Sequence, residues 1–187
     1  MKQHILAVLL DCGDTLVDEG TEVKDEHEVT LRAELIPGAA EMVGGLKRRG
    51  YRLALGADGP TGTFRNVLPV YGLWDLFDVF AISAEVGVQK PDARMFYAAL
   101  QQLQIDPTDH GRVIMVGNNL ERDIKGANAL GIASVWLDWA PRRAKAVGEW
   151  RVPPIPARSN PLGGSWTVSP RRPPARAAAN PGRGRAP

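Results

Sequence analysis

Cysteine is nearly missing from this sequence. The single Cys12 excludes an internal disulfide and fits a reducing compartment, the cytoplasm. It sits at the end of an apolar run with no basic neighbour to activate a thiol, so it reads as a small buried side chain. Histidine is almost as scarce. His4, His27 and His110 are scattered without metal-ligand spacing and read as surface or strand-edge residues. No apolar run nears the roughly 18 residues of a membrane span, so the chain reads as non-membrane. The apolar residues after Lys2 stop at Asp11 without a small-residue cleavage site, which gives no secretory leader. No internal repeat appears, which excludes solenoids and propellers.

Acidic residues are also absent from one region. Residues 141–187 hold ten Lys and Arg but one Glu, a net +9; residues 1–140 hold 13 Lys and Arg against 20 Asp and Glu, a net −7. The first region has the composition of a folded domain. The second is a basic tail rich in Pro, Arg and Ala that cannot bury enough apolar surface to offset chain entropy, and it is expected to be disordered. It reads either as a basic arm for a polyanion or as a terminus without a role. Its only aromatic residues, Trp150 and Trp166, weigh against nucleic acid.

What is present begins with Ile5-Leu6-Ala7-Val8-Leu9-Leu10-Asp11-Cys12-Gly13-Asp14-Thr15-Leu16. A short apolar run ending at a carboxylate predicts a central strand buried on both faces, with Asp11 at its carboxyl end. That edge of an open α/β sheet is where ligands bind. Further strands are expected over Tyr51–Leu55, Val79–Ser83, Val113–Val116 and Ile132–Leu137. Helices are expected over Thr21–Leu35, Ala39–Arg49, Thr61–Tyr71 with Pro69 disturbing its last turn, Asp92–Gln104, and Glu121–Leu130. Alternating strands and helices imply an α/β, doubly wound (Rossmann-like), mainly parallel sheet of about five strands in a three-layer α/β/α arrangement. The core covers residues 1–140, with 17–36 as a short insertion after the first strand.

Asp11, Asp58, Lys90 and Asp123 should then lie along one sheet edge. Carboxylates there suit Mg²⁺, and a lysine beside them would neutralise phosphate oxygens.

In these motifs the chain resembles the haloacid dehalogenase superfamily, mostly Mg²⁺-dependent phosphatases with an aspartate nucleophile. Asp11-Cys12-Gly13-Asp14-Thr15-Leu16 stands for its Asp-x-Asp-Gly-Thr-Leu. Leu53-Ala54-Leu55-Gly56-Ala57-Asp58 stands for the strand ending in Ser or Thr, and Lys90-Pro91-Asp92 for the lysine motif. Val113-Ile114-Met115-Val116-Gly117-Asn118-Asn119 followed by Asp123-Ile124-Lys125-Gly126-Ala127 stands for the last acidic motif. The resemblance implies that Asp11 attacks phosphorus and forms an aspartyl phosphate, and that Lys90 bridges nucleophile and phosphate. It further implies that Ala57, Asp58 and Lys90 line the phosphate site, and that Asp11, the Gly13 carbonyl and Asp123, with Asn118, hold Mg²⁺.

Three positions depart from the pattern. Gly13 replaces the usual general acid, Ala57 the hydroxyl, and Asn118 an acid. Asp14 is the candidate replacement acid, the competing reading being that it only turns the loop. The short gaps after the first and second motifs predict a minimal cap and an open site, unless oligomerisation covers it. An open site suits a large or macromolecular phosphorylated substrate. The function expected is phosphate-ester hydrolysis; the alternative is an impaired homologue that binds a phosphorylated ligand or a protein partner.

Overall fold

The computed structural model describes residues 5–139. The basic tail and His4 lie outside the described residues. In chain order the regular elements are β1 (Ala7–Leu10), β2 (Val17–Lys24), β3 (Thr30–Leu35), α1 (Ala39–Arg48), β4 (Arg52–Ala57), α2 (Thr61–Val67), β5 (Val79–Ile82), α3 (Ser83–Val86), α4 (Ala93–Gln102), β6 (Val113–Gly117), α5 (Gly126–Ala129) and β7 (Ala133–Trp136).

Five strands form one parallel sheet in the order β5-β4-β1-β6-β7. All four residues of the central strand are buried, and its alternation divides the core. Val8 and Leu10 face Val43 of α1 and Phe64 of α2. Ala7 and Leu9 face Met95, Phe96 and Leu100 of α4. Helices therefore cover both faces, the condition under which a parallel strand carries a continuous apolar run. The chain moves outward through β4 and β5, then crosses back to pair β6 with β1. The reversal point lies between the ends of β1 and β6, where doubly wound sheets open a crevice.

The helix expected over Thr21–Leu35 is instead an antiparallel hairpin of β2 and β3, pairing Val17 with Leu35 and Lys24 with Thr30. Its β-branched Val17, Thr21, Val23, Val29 and Thr30 prefer a pleated surface, and its many charges occupy a solvated strand face rather than a helix face. Asp25 Oδ1 closes the turn by accepting the N–H groups of His27 and Val29, both at 2.9 Å. The hairpin is fastened to the α2 region. The Thr63 hydroxyl accepts the Thr30 N–H at 2.9 Å, Asn66 donates to the Thr30 carbonyl at 3.0 Å, and Tyr71 donates to the Ala33 carbonyl at 2.8 Å.

Two other expectations change. The helix over Glu121–Leu130 is a wide π-type turn over Leu120–Lys125 followed by the short α5. His110 is buried at 8% exposure, its Nδ1 3.1 Å from the Leu130 carbonyl oxygen; the Pro107–Arg112 turn folds it inward. Elsewhere, α2 gives way to a 3₁₀ turn that has Pro69 in its first positions.

Gly126 begins α5 where a side chain has no room. A Cβ there would stand 2.8 Å from the Phe96 ring and 3.2 Å from Pro91 Cβ. Gly126→Ala is therefore expected to cost about 1–3 kcal/mol through overpacking, measurable as a lower urea midpoint. A midpoint unchanged from the native chain would show that Phe96 yields freely.

Candidate active site

Asp11 follows β1 immediately, and its N–H donates to the Val116 carbonyl at 3.0 Å, which extends the ladder by one residue and fixes the carboxylate at the sheet edge. Asp11 Oδ2 accepts the Thr15 hydroxyl at 3.0 Å. Asp11 Oδ1 accepts from Lys90 Nζ at 2.6 Å, and the same ammonium donates to the Gly56 carbonyl at 2.7 Å. Lys90 Nζ also lies 2.7 Å from Asp123 Oδ1. Charge holds this pair, and Asp123 Oδ1 has no well-directed hydrogen bond among the described residues.

Asp11, Lys90 and Asp123 are only 7, 4 and 1% exposed. Burial opposes the Lys90 ammonium, yet the charges of Asp11, Asp123 and Asp58 outweigh it and hold its pKa above the ordinary value. Burial, reinforced by the Asp11 charge, pushes Asp123 up to about 6 against the pull of Lys90. Burial, then the Asp11 charge, also raises Cys12, which leaves its thiol inert beside the site.

The wide turn over Leu120–Lys125 aims Asp123. Asn119 caps it through the N–H groups of Glu121 and Arg122 at 3.1 and 3.0 Å, and its own N–H donates to Asp123 Oδ2 at 3.0 Å. The Asp123 side chain lies against Gly117, where a Cβ would come within 2.5 Å of the carboxyl carbon. Such widened turns are frequent at functional sites.

Asn118 and the Gly13 backbone join Asp11, Lys90 and Asp123 around a cavity of about 60 Å³. The Asn118 side-chain nitrogen is buried without a hydrogen-bond partner among the described residues. Asp58 lines the same cavity, but its carboxylate is engaged: Oδ1 accepts the Lys90 N–H at 3.0 Å and Oδ2 lies 3.5 Å from Arg122 Nη1. Ala57 is buried at the end of β4 and offers only its main chain. Asp14 is fully buried and does not border the cavity; its Oδ1 accepts the Glu19 N–H at 3.1 Å. Its φ of 52° is a left-handed conformation that Asp tolerates better than most residues.

Three residues at the cavity were not read as site residues in the sequence, Arg122, Glu19 and Asn119, the last of which acts there by capping the wide turn. Arg122 lies one residue before Asp123, and a charge at that spacing carries no signal by itself. Glu19 reaches the site only because residues 17–24 form a strand rather than a loop leading into a helix.

Comparison with known proteins decides the family: the haloacid dehalogenase-like hydrolase family matches residues 5–131. The chain belongs to that family. Among its relatives, a phosphoserine phosphatase of Thermus thermophilus is 37% identical over 107 residues, 57% of this chain and 42% of that protein. The pyrimidine 5'-nucleotidase YjjG of Escherichia coli is 36% identical over 117 residues, 61% of this chain and 51% of that protein. The chain thus spans about half the length of the curated relatives it matches. Among solved structures, the magnesium-bound putative HAD-hydrolase YfnB of Bacillus subtilis aligns with a TM-score of 0.51 at 26% identity, covering 56% of this chain and 46% of that one.

Removing the Lys90 ammonium leaves Asp11 and Asp123 buried and facing one another. Lys90→Met is expected to lose about 3–5 kcal/mol in urea unfolding. Adding Asp123→Asn should recover part of that loss, because one of the opposed charges disappears. Additive losses in the double variant would show that the two carboxylates do not share the ammonium.

Proposed function

We propose that this chain is a Mg²⁺-dependent phosphate-ester hydrolase that works through an aspartyl phosphate on Asp11. The observation that carries the reading is the placement of Asp11 at the sheet's reversal point, held between the Thr15 hydroxyl and the Lys90 ammonium. Relatives named as a phosphoserine phosphatase and a pyrimidine 5'-nucleotidase support a phosphate ester as substrate.

The residues present fit a magnesium ion. The cavity is bordered by Asp11, Glu19, Asp58 and Asp123 but only by Lys90 and Arg122 as cations, so an anionic substrate needs further positive charge. One buried carboxylate oxygen there, Asp123 Oδ1, accepts no hydrogen bond among the described residues and is neutralised only by the Lys90 charge, so it has lone pairs left for a cation. Among the described residues no three His, Cys, Asp or Glu side chains gather as a metal cage. Magnesium needs none, since it commonly uses one or two carboxylates and keeps its waters for a phosphate. Asp11, Asp123, the Gly13 carbonyl and the Asn118 amide would hold it, and it would screen the repulsion between carboxylates and phosphate.

The chain's own residues do the remaining work. Thr15 and Lys90 orient the Asp11 carboxylate for attack on phosphorus. Lys90 and Arg122 meet the phosphoryl oxygens. With Ala57 lacking a hydroxyl and Asp58 bound to the Lys90 N–H, the phosphate contacts at the β4 end are left to main-chain groups. The neighbouring cavity of about 190 Å³, between the hairpin and α2, receives the leaving group and favours a compact ester over a macromolecule. Among the described residues no helix is long and apolar enough to cross a membrane. The lone buried Cys12 suits work in the cytoplasm. The alternative, a homologue that binds phosphorylated ligands without turnover, rests on Gly13, Ala57 and Asn118.

The test is hydrolysis of a phosphate-ester panel with and without chelator. Turnover should require Mg²⁺ and vanish in Asp11→Asn. Mg²⁺ should also raise the melting temperature of the native chain by mass action, and the shift should shrink in Asp11→Asn and Asp123→Asn. A shift unchanged in both variants places the metal elsewhere. Ligand-induced stabilisation without turnover of any ester favours the binding homologue.

A further inference from the structure

We propose that Glu19, projecting from the hairpin, is the general acid and base of this site; the inference rests on the reading of the site as a phosphate-ester hydrolase. Three observations place it there. First, an ideal Cβ built on Gly13 falls onto the Glu19 carboxylate, 2.9 Å from its Cδ and 3.1 Å from its Cγ. The glycine and the carboxylate thus share one volume, and the group missing at position 13 is supplied from position 19. Second, Glu19 borders both cavities. It lines the small one with Asp11, Lys90 and Asp123, and the larger one with Asp58, Thr63 and Phe64. A proton donor for a phosphate ester has to stand at that junction, between the phosphoryl group and the group that leaves. Third, its backbone is fixed. The buried Asp14 carboxylate accepts the Glu19 N–H at 3.1 Å, and the Asp14 N–H donates to the Val17 carbonyl at 2.7 Å. Asp14 is therefore a positioning residue for Glu19, and being fully buried outside the cavity it does not touch the substrate.

The steps balance as follows. An Asp11 carboxylate oxygen bonds to phosphorus while the phosphorus–oxygen bond to the leaving group breaks. The Glu19 carboxyl gives its proton to that departing oxygen, which leaves as an alcohol. The Glu19 carboxylate then takes a proton from water as the water oxygen bonds to phosphorus and the bond to Asp11 breaks. Phosphate departs, Asp11 is free, and Glu19 is again protonated.

The experiment compares an alkyl ester, glycerol phosphate, with nitrophenyl phosphate, whose leaving group needs no proton. It uses the full chain with Mg²⁺ and acid-quench measurement of phosphoenzyme. Glu19→Gln keeps the side-chain shape and the backbone bond to Asp14. It should lower the alkyl-ester rate by ~10²–10⁴, lower phosphoenzyme formation from nitrophenyl phosphate far less, and let phosphoenzyme accumulate. Glu19→Ala should lose the alkyl-ester rate as well. Gly13→Asp combined with Glu19→Ala should restore much of it, because the vacated volume accepts the new carboxylate; melting curves establish that each variant is folded. Equal losses on both esters without phosphoenzyme accumulation would make Glu19 structural and overturn the inference. Native-like rates in Glu19→Gln would overturn it alone, leaving the hydrolase reading intact. A native chain that turns over neither of these nor any other ester of the panel overturns both.

Discussion

Lys90 places one ammonium between two carboxylates that reach it from separate strands, 2.6 Å from Asp11 and 2.7 Å from Asp123, with the Gly56 carbonyl at 2.7 Å. Three neighbouring strand ends, those of β1, β4 and β6, are thereby tied to one charge. The arrangement is costly to bury and would not form around an uncharged residue. Its surroundings follow from it. The wide turn after β6 brings Asp123 into range, Gly117 makes room for its carboxylate, and Asp58 holds the Lys90 backbone at 3.0 Å.

The sheet and the main groups of the site were legible in the sequence because they rest on local signals. The run from Ile5 to Leu10 is too apolar and too short for anything but a buried strand, and it stops at Asp11. The face of Met95, Phe96, Ala99, Leu100 and Leu103 has helical spacing, and all five are buried against the sheet. Lys90 and Asp123 were legible through the resemblance of Lys90-Pro91-Asp92 and Asp123-Ile124-Lys125-Gly126-Ala127 to the family's motifs, and the structure brings both side chains beside Asp11. Cys12 read as an inert apolar side chain, and its 3% exposure gives it that environment.

What stayed hidden depends on contacts made across the fold. Residues 17–35 carry enough charge to pass for a helix surface; their β-branched residues settle into strands because the pair can dock on α2. Once that segment is a hairpin, Glu19 turns toward Gly13, a meeting of two positions that neither residue type announces. His110 read as a surface residue because a lone polar residue in a turn usually is one. The bond to the Leu130 carbonyl draws it in. The wide turn at Leu120–Lys125 has the same composition as an ordinary helix, and only the bonding of Asn119 distinguishes it.

The three bonds joining Thr30 and Ala33 to Thr63, Asn66 and Tyr71 carry a consequence for motion. A two-stranded hairpin by itself is marginally stable in water, and one tethered only at its ends would fray independently of the domain. Here β3 is stitched along its length to α2 and the turn that follows. The smallest unit that can detach is the hairpin together with α2, so release at the rim proceeds as a cooperative sub-global opening rather than as the flapping of a loop.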